Sequence, residues 1–434
     1  MNPKQKRTIE RDVETLFSVR AFSAPPSIEA WMKLGPFHPT IKTGNGELPL
    51  SPLGIAALHR LATLVAGMTE LRDSCSPGEI ANEVMERYNG WVRKLLQPTG
   101  QEFTDDVVQA LLAKVKTHEL LTVIEGVDLV DQDTIALGNM KICRADRRIL
   151  EGVQLRGLLG PDLVYEKFKG KFWLTGTSVG SPKVALQRFE HLAALTVGLL
   201  AVCGAVLYKG AIWRSHIRVA SSASHLKSLS ILRWEQGGEN PNLISSGQGV
   251  QPLPLNAELV AYLRNECFLD QLVGILEVKQ RTEIQDAIVR SLYWFGDAHG
   301  DSNLTMRFIK LWSCAECFFS IDKTDITEAN ARGIAAILTF AGYRILEPKE
   351  YPEFKRRLKS LYDLRSRSIH CAEFGLVENS DLEDFSQWVA WLIISMAALA
   401  ERGYKTLASV NKQALRLDSM GIQFSTKLER PALN

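Results

Sequence analysis

From residue 256 onward, apolar positions recur at helical spacing in one segment after another: 257–278, 282–298, 304–320, 326–341, 351–370 and 381–402. In 304–320, Leu304, Phe308, Leu311, Trp312, Ala315 and Phe319 fall on one stripe; Phe385, Leu392, Met396 and Leu399 do the same in 381–402. Asp325-x-x-Glu328 and Ser380-x-x-Glu383 read as capping boxes, and Gly342 as a stop. Short connections between such helices predict antiparallel neighbours in an all-α bundle.

Upstream the pattern changes twice. Helical spacing over 53–73, 77–96 and 104–119 follows a stretch, residues 20–52, whose six prolines predict irregular chain over a surface; the third helix is expected to open at Thr104-Asp105-Asp106. Alternating, β-branched runs then predict strands at 121–129, 134–143, 171–175 and 211–220, with a further one at 229–234, interrupted by a long helix over 182–208. Residues 235–255, with four glycines and three prolines, read as the main linker. The expected fold class is therefore α+β. A mostly helical region with a Pro-rich segment (1–119) and a mixed α/β region (120–235) precede a linker (236–255) and a helical domain (256–434).

Composition narrows the function classes. At 434 residues with 46% hydrophobic and 23% charged residues, the chain can bury more than one core and is neither disordered nor fibrous. A net charge of +2 excludes a general attraction to polyanions, so any nucleic-acid contact must come from a local patch. The charged start MNPKQKRTIERD lacks the apolar core of a secretory signal, and seven irregularly spaced cysteines fit a reducing compartment, so a cytoplasmic location is expected. The uncharged run Leu192–Tyr208 is at the short limit for a membrane span; a helix buried on most sides is the favoured reading, and no membrane association is expected.

The chemistry concentrates in 354–370, Phe-Lys-Arg-Arg-Leu-Lys-Ser-Leu-Tyr-Asp-Leu-Arg-Ser-Arg-Ser-Ile-His. On an ideal helix Phe354, Leu358 and Leu361 share a face, and Arg365 falls in its middle. A guanidinium stays charged, so Arg365 must meet an anion: a phosphate in a cleft, or a core acid such as Glu316. His370, five residues on, lies about 140° round from Arg365, off that face unless the helix ends or distorts there. Cleaving RNA at its own 2′-hydroxyl requires a base, an acid and a cation on the phosphate, and histidine with arginine supplies these near neutral pH. One histidine cannot hold both protonation states at once, so two copies in a dimer are the economical arrangement. Lys355, Arg356, Arg357, Lys359 and Arg367 would hold the backbone phosphates. On spacing alone the pair is common, since Arg218 and His225 match as well, and His370 reads equally as a helix-end histidine facing water.

The segment LYDLRSRSIH, preceded by SLYWFGDAHGDSNLTMRFIKLWSCAEC, resembles the Apea-like branch of the HEPN superfamily, the higher eukaryotes and prokaryotes nucleotide-binding domains. The resemblance rests on Trp294-Phe295, Arg307-Phe308, Leu311-Trp312, Glu316 and an Arg-x4–6-His motif at Arg365 and His370. It covers about 255–405, and 120–235 loosely. It implies an endoribonuclease that uses no metal or other cofactor, a homodimer, a defence or toxin role and RNA as partner; whether a regulatory partner protein controls it is left open by the sequence. Arg365 and His370 are the implied catalytic pair, with Glu316 orienting one of them. Ser366 and Cys371 depart from the common polar amide and glycine, and Ala372 stands where toxins silenced by nucleotidyl transfer carry a tyrosine.

Other constellations are weaker. Cys314-x-x-Cys317 is half a zinc motif inside an amphipathic helix and reads as core. Asp128, Asp131 and Asp133 lack the glycine and terminal glutamate of a calcium loop. The rival function is a non-catalytic helical module that binds RNA or protein.

Overall fold

The computed structural model describes residues 2–23, 39–43, 46–151, 153, 161–168, 172–208, 215, 217–219, 230–233, 242–245, 252–301, 303–320, 325–371 and 375–428. The chain is α+β with a helical C-terminal region, as the pattern predicts, and divides into two compact units: 1–120 with 177–190, and 121–176 with 191–434.

The first unit opens with a helix that the charged N-terminus concealed, α1 (Pro3–Leu16). Asn2 and Gln5 close a capping box, and Ile9, Val13 and Leu16 are buried at helical spacing. The Pro-rich stretch is not all irregular: Thr40–Thr43 (β1) and Gly46–Pro49 (β2) pair antiparallel, and Ile41 is fully buried. Residues 24–38 lie outside the described residues. Helices α2 (Pro52–Ala66), α3 (Pro77–Arg93) and α4 (Gly100–Lys114) complete a core around Leu61, Val84, Tyr88, Phe103 and Val107. Helix α4 starts four residues before the expected Thr104, because Thr99 and Glu102 form a reciprocal capping box that the Thr-Asp-Asp signal obscured. Glu83 is a buried carboxylate of this core. Burial raises its proton affinity, but hydrogen bonds from Lys114 and Arg87 outweigh that and hold it below the ordinary range.

Strand β3 (Lys116–Glu125) leads into the second unit and is followed by β4 (Val127–Leu129). The single strand expected at 134–143 is a hairpin, β5 (Thr134–Leu137) and β6 (Met140–Arg144), turning on Gly138-Asn139 with Gly138 at φ +61°. Two short helices, α5 (Arg148–Glu151) and α6 (Pro161–Phe168), precede β7 (Phe172–Gly180) and the long α7 (Pro182–Tyr208). Of the strand expected at 211–220, Arg218–Val219 (β8) is strand among the described residues, and the sheet order is β5-β6-β7-β3-β8. Helix α7 is long and apolar enough to cross a membrane by length and composition, but 72% of its most apolar window is buried inside the protein, as a core helix requires.

Most of the expected linker that is described is strand. Asn242–Ser245 (β10) pairs antiparallel with Ser230–Arg233 (β9), and Leu253–Leu255 (β11) pairs parallel with β4. Prolines disguised this. Leu253 N–H donates to Gly126 and Leu255 accepts from Val130, so the proline between them costs the ladder no bond. The Ala257 N–H also reaches Asp131, and Asn139 N–H reaches Glu277, so the strands from β4 to β6 and the helices after 256 share one compact unit.

Those helices are α8 (Ala257–Glu266), α9 (Leu269–Glu277), α10 (Glu283–Gly300), α11 (Leu304–Phe319), α12 (Ile326–Phe340), α13 (Tyr351–His370), α14 (Asn379–Glu401) and α15 (Leu407–Leu428). The single helix expected over 257–278 is broken at Phe268, a left-handed residue (φ +55°) whose ring packs edge-on to Tyr343. Neither expected capping box forms. Asp325 is left-handed and makes no cap bond while Glu328 is taken by two lysines; Ser380 lies inside α14, whose cap position is Glu378. Asn303, by contrast, accepts from the Met306 N–H at the start of α11. Asn303→Ala should therefore lower stability by about 1 kcal/mol in urea denaturation, and Asp325→Ala by no more than a few tenths. Equal losses would contradict this assignment of the caps.

Candidate functional site

Helix α13 carries the candidate chemistry, and its sequence settles how it sits. Phe354, Leu358 and Leu361 are buried, and Arg365 continues that face into the bundle with its side chain 18% exposed. There it meets α11. Arg365 Nη2 lies 3.1 Å from both carboxylate oxygens of Glu316, and the Tyr362 hydroxyl donates to Glu316 Oε1 at 2.9 Å. The guanidinium carbon also stands 5.3 Å from the centre of the Tyr362 ring. Burial, reinforced by the neighbouring carboxylate, pushes the Tyr362 phenol up to about 12, so it remains a donor at neutral pH. Arg365 Nε is buried and has no hydrogen-bond partner among the described residues.

Glu316 is thus fixed from two sides, and Tyr362 is a member of the site that the sequence reading missed. Its position one turn before Arg365 was the available signal. Trp312, one turn before Glu316 on α11, packs edge-on to Tyr362 at 4.9 Å and lies tilted on Phe385 of α14 at 4.4 Å. The two aromatic contacts make a rigid floor under the carboxylate.

His370 stands apart from this cluster. It is the last residue of α13 and exposed, and makes no hydrogen bond or ion pair among the described residues. The Cys371 N–H still donates to the Arg367 carbonyl at 2.9 Å, so the helix stays regular to its end. At 100° per residue, five positions separate the directions of Arg365 and His370 by about 140°. One copy of the chain joins Arg365 to Glu316 and leaves His370 facing outward.

Three of the five cations expected to hold phosphates are engaged by the chain's own acids. Lys355 is 15% exposed and bonded to Glu328 (2.6 Å) and Asp418 (2.9 Å), Lys359 reaches Glu328, and Arg357 reaches Asp381. These acids come from α12, α14 and α15, and no spacing within α13 reveals them. Arg356 is exposed without an ion pair among the described residues, and Arg367 is exposed on the last turn.

The other candidates fall as core or surface. Cys314 is fully buried and bonds to the Lys310 carbonyl, and burial pushes its thiol well up. Among the described residues no group of three or more His, Cys, Asp or Glu side chains converges as a metal site. Arg218 pairs with Glu125 across β3 and β8, while His225 lies outside the described residues.

Comparison with family models, curated proteins and solved structures finds no match to this chain.

Proposed function

We propose that the chain is a metal-independent endoribonuclease of the HEPN type, acting as a cytoplasmic homodimer in a defence or toxin role, with RNA as substrate and a partner protein as regulator. The observation that carries it is the anchored arginine followed by an exposed histidine at the end of the same regular helix. Arg365 is held by Glu316 and keeps its side chain 18% exposed, a positioned charge of the kind a phosphate oxygen requires. His370 is accessible to substrate and to a second copy.

In the reaction the 2′-oxygen bonds to phosphorus and the bond to the 5′-oxygen breaks. One His370 accepts the 2′-hydroxyl proton, and the His370 of the second copy supplies a proton to the leaving 5′-oxygen. Arg365 offsets the charge that builds on the phosphate, and Glu316 positions Arg365. Products are a 2′,3′-cyclic phosphate and a 5′-hydroxyl. Purified full-length protein incubated with mixed RNA in EDTA should yield those ends at an undiminished rate, read by end-specific labelling. Cleavage that appears only on adding magnesium or manganese would overturn the mechanism.

A second reading has its own support. The Arg365–Glu316–Tyr362 cluster is a closed set of charge and hydrogen bonds that stabilises the bundle without any ligand, as a non-catalytic binding module would need. His370→Ala leaves such a module unaffected.

A further inference from the structure

The second unit contains a small apolar cavity that the ribonuclease reading does not use. Its volume is about 190 Å³, and its lining comes from the end of α12, the end of α14 and one face of α15. Ile337 of α12 and Val410 of α15 are its buried lining, and Phe340 and Leu399 are half-buried. The Phe340 ring is held by the Tyr351 ring at 5.3 Å, so that wall is packed from behind.

The local sequence explains the polar edge. Gly403 takes the left-handed conformation (φ +92°) that ends α14. Its N–H donates to the Ala400 carbonyl and the Tyr404 N–H to the Leu399 carbonyl, both at 3.1 Å, the two bonds of a Schellman turn. This turn brings Arg402 and Tyr404 to the cavity, and Gln413, one turn after Val410 on α15, joins them. None of these three side chains makes a hydrogen bond or ion pair among the described residues. Arg402 is not needed as a cap either, because main-chain N–H groups already bond the Ile337 and Leu338 carbonyls at the end of α12 and those of Leu399 and Ala400 on α14. The lining holds this one cation and no carboxylate. Residues 401–416 carry Arg402, Lys405, Lys412 and Arg416 against Glu401 alone, a local charge that favours an anion.

We infer that this cavity binds a free, short-chain aliphatic carboxylate, with the tail against Ile337, Phe340 and Val410 and the carboxylate on Arg402, Tyr404 and Gln413. An apolar interior edged by donors and an unopposed guanidinium matches that chemistry. At about 30 Å³ for a water-sized group, the cavity takes roughly six heavy atoms, so an acid of about six carbons fills it. A free amino acid fits less well, because no acid in the lining receives its ammonium group. The inference stands apart from the nuclease reading, since none of these residues belongs to the Arg365–Glu316–Tyr362 cluster and binding rather than cleavage is read.

The test is titration calorimetry on the full chain with butanoate, hexanoate, hexanamide and leucine. Hexanoate should bind saturably and about tenfold more tightly than butanoate, as each buried methylene contributes roughly fourfold. Hexanamide and leucine should bind several-fold more weakly. Arg402→Gln keeps a polar side chain and removes the charge, so hexanoate should weaken about fivefold with the melting temperature unchanged. Leu399→Ala, which enlarges the cavity, should move the preference from hexanoate toward octanoate. No saturable binding of hexanoate would overturn the proposal. Hexanamide binding as tightly as hexanoate, or hexanoate binding that a folded Arg402→Gln protein leaves unchanged, would overturn it as well.

Discussion

Gly198→Ala should lower the stability of the second unit by about 3 kcal/mol, a large fraction of what holds a domain together. The reason is geometric. A Cβ at Gly198 would sit 2.0 Å from the Leu292 carbonyl oxygen of α10, and a Cβ at Gly296 would sit 2.9 Å from the Gly198 backbone nitrogen. The two glycines let α7 and α10 approach backbone to backbone, and no side-chain rotation can relieve a clash with a carbonyl. Gly90→Ala is the internal control. It places the same methyl into open space in a helix of the first unit and should raise stability by about 0.5–1 kcal/mol. Urea denaturation followed by circular dichroism reads both. A Gly198→Ala loss below about 1 kcal/mol would mean that α7 and α10 do not cross at these glycines.

The same crossing explains why α7 was ambiguous as text. Its apolar run is the length of a short span, and only its neighbours decide the matter: α10 covers Gly198, and the Val206 carbonyl accepts from Gln387 of α14. Helices whose signal is one apolar stripe, such as α11 and α13, were legible to within a residue because burial on one face imposes the period directly. What was not legible depended on distant partners. Asp325-x-x-Glu328 has the letters of a capping box, yet Lys355 and Lys359 on another helix claim the glutamate. Pro252 and Pro254 have the letters of a linker, yet a parallel ladder that skips Pro254 makes the segment a strand beside β4. The candidate site shows the same split. Arg365 on an apolar face demanded an anion, and Glu316 was among the acids named for it, whereas Tyr362 as the second anchor required knowing where α11 lies.

His370→Ala should abolish RNA cleavage, by about 10²–10⁴-fold, while leaving the denaturation midpoint where it was. Stability is spared because the ring is exposed and bonds to no described residue. Arg365→Ala should also remove cleavage but carry a stability cost of about 2 kcal/mol, since among the described residues it leaves the Glu316 carboxylate, 19% exposed, with only the Tyr362 hydroxyl. Glu316→Gln separates the roles. It keeps the shape and one oxygen acceptor while removing the charge that holds Arg365, so cleavage should fall by roughly 10-fold or more with substrate affinity less affected. The pattern to look for is therefore an activity loss without a stability loss at His370, both losses at Arg365, and a smaller activity loss at Glu316. Undiminished cleavage by a folded His370→Ala protein would remove the histidine from the mechanism. If all three variants instead keep RNA or protein binding and the parent never cuts, α13 is a stabilising element of a binding module, with Arg365 serving Glu316 rather than a phosphate.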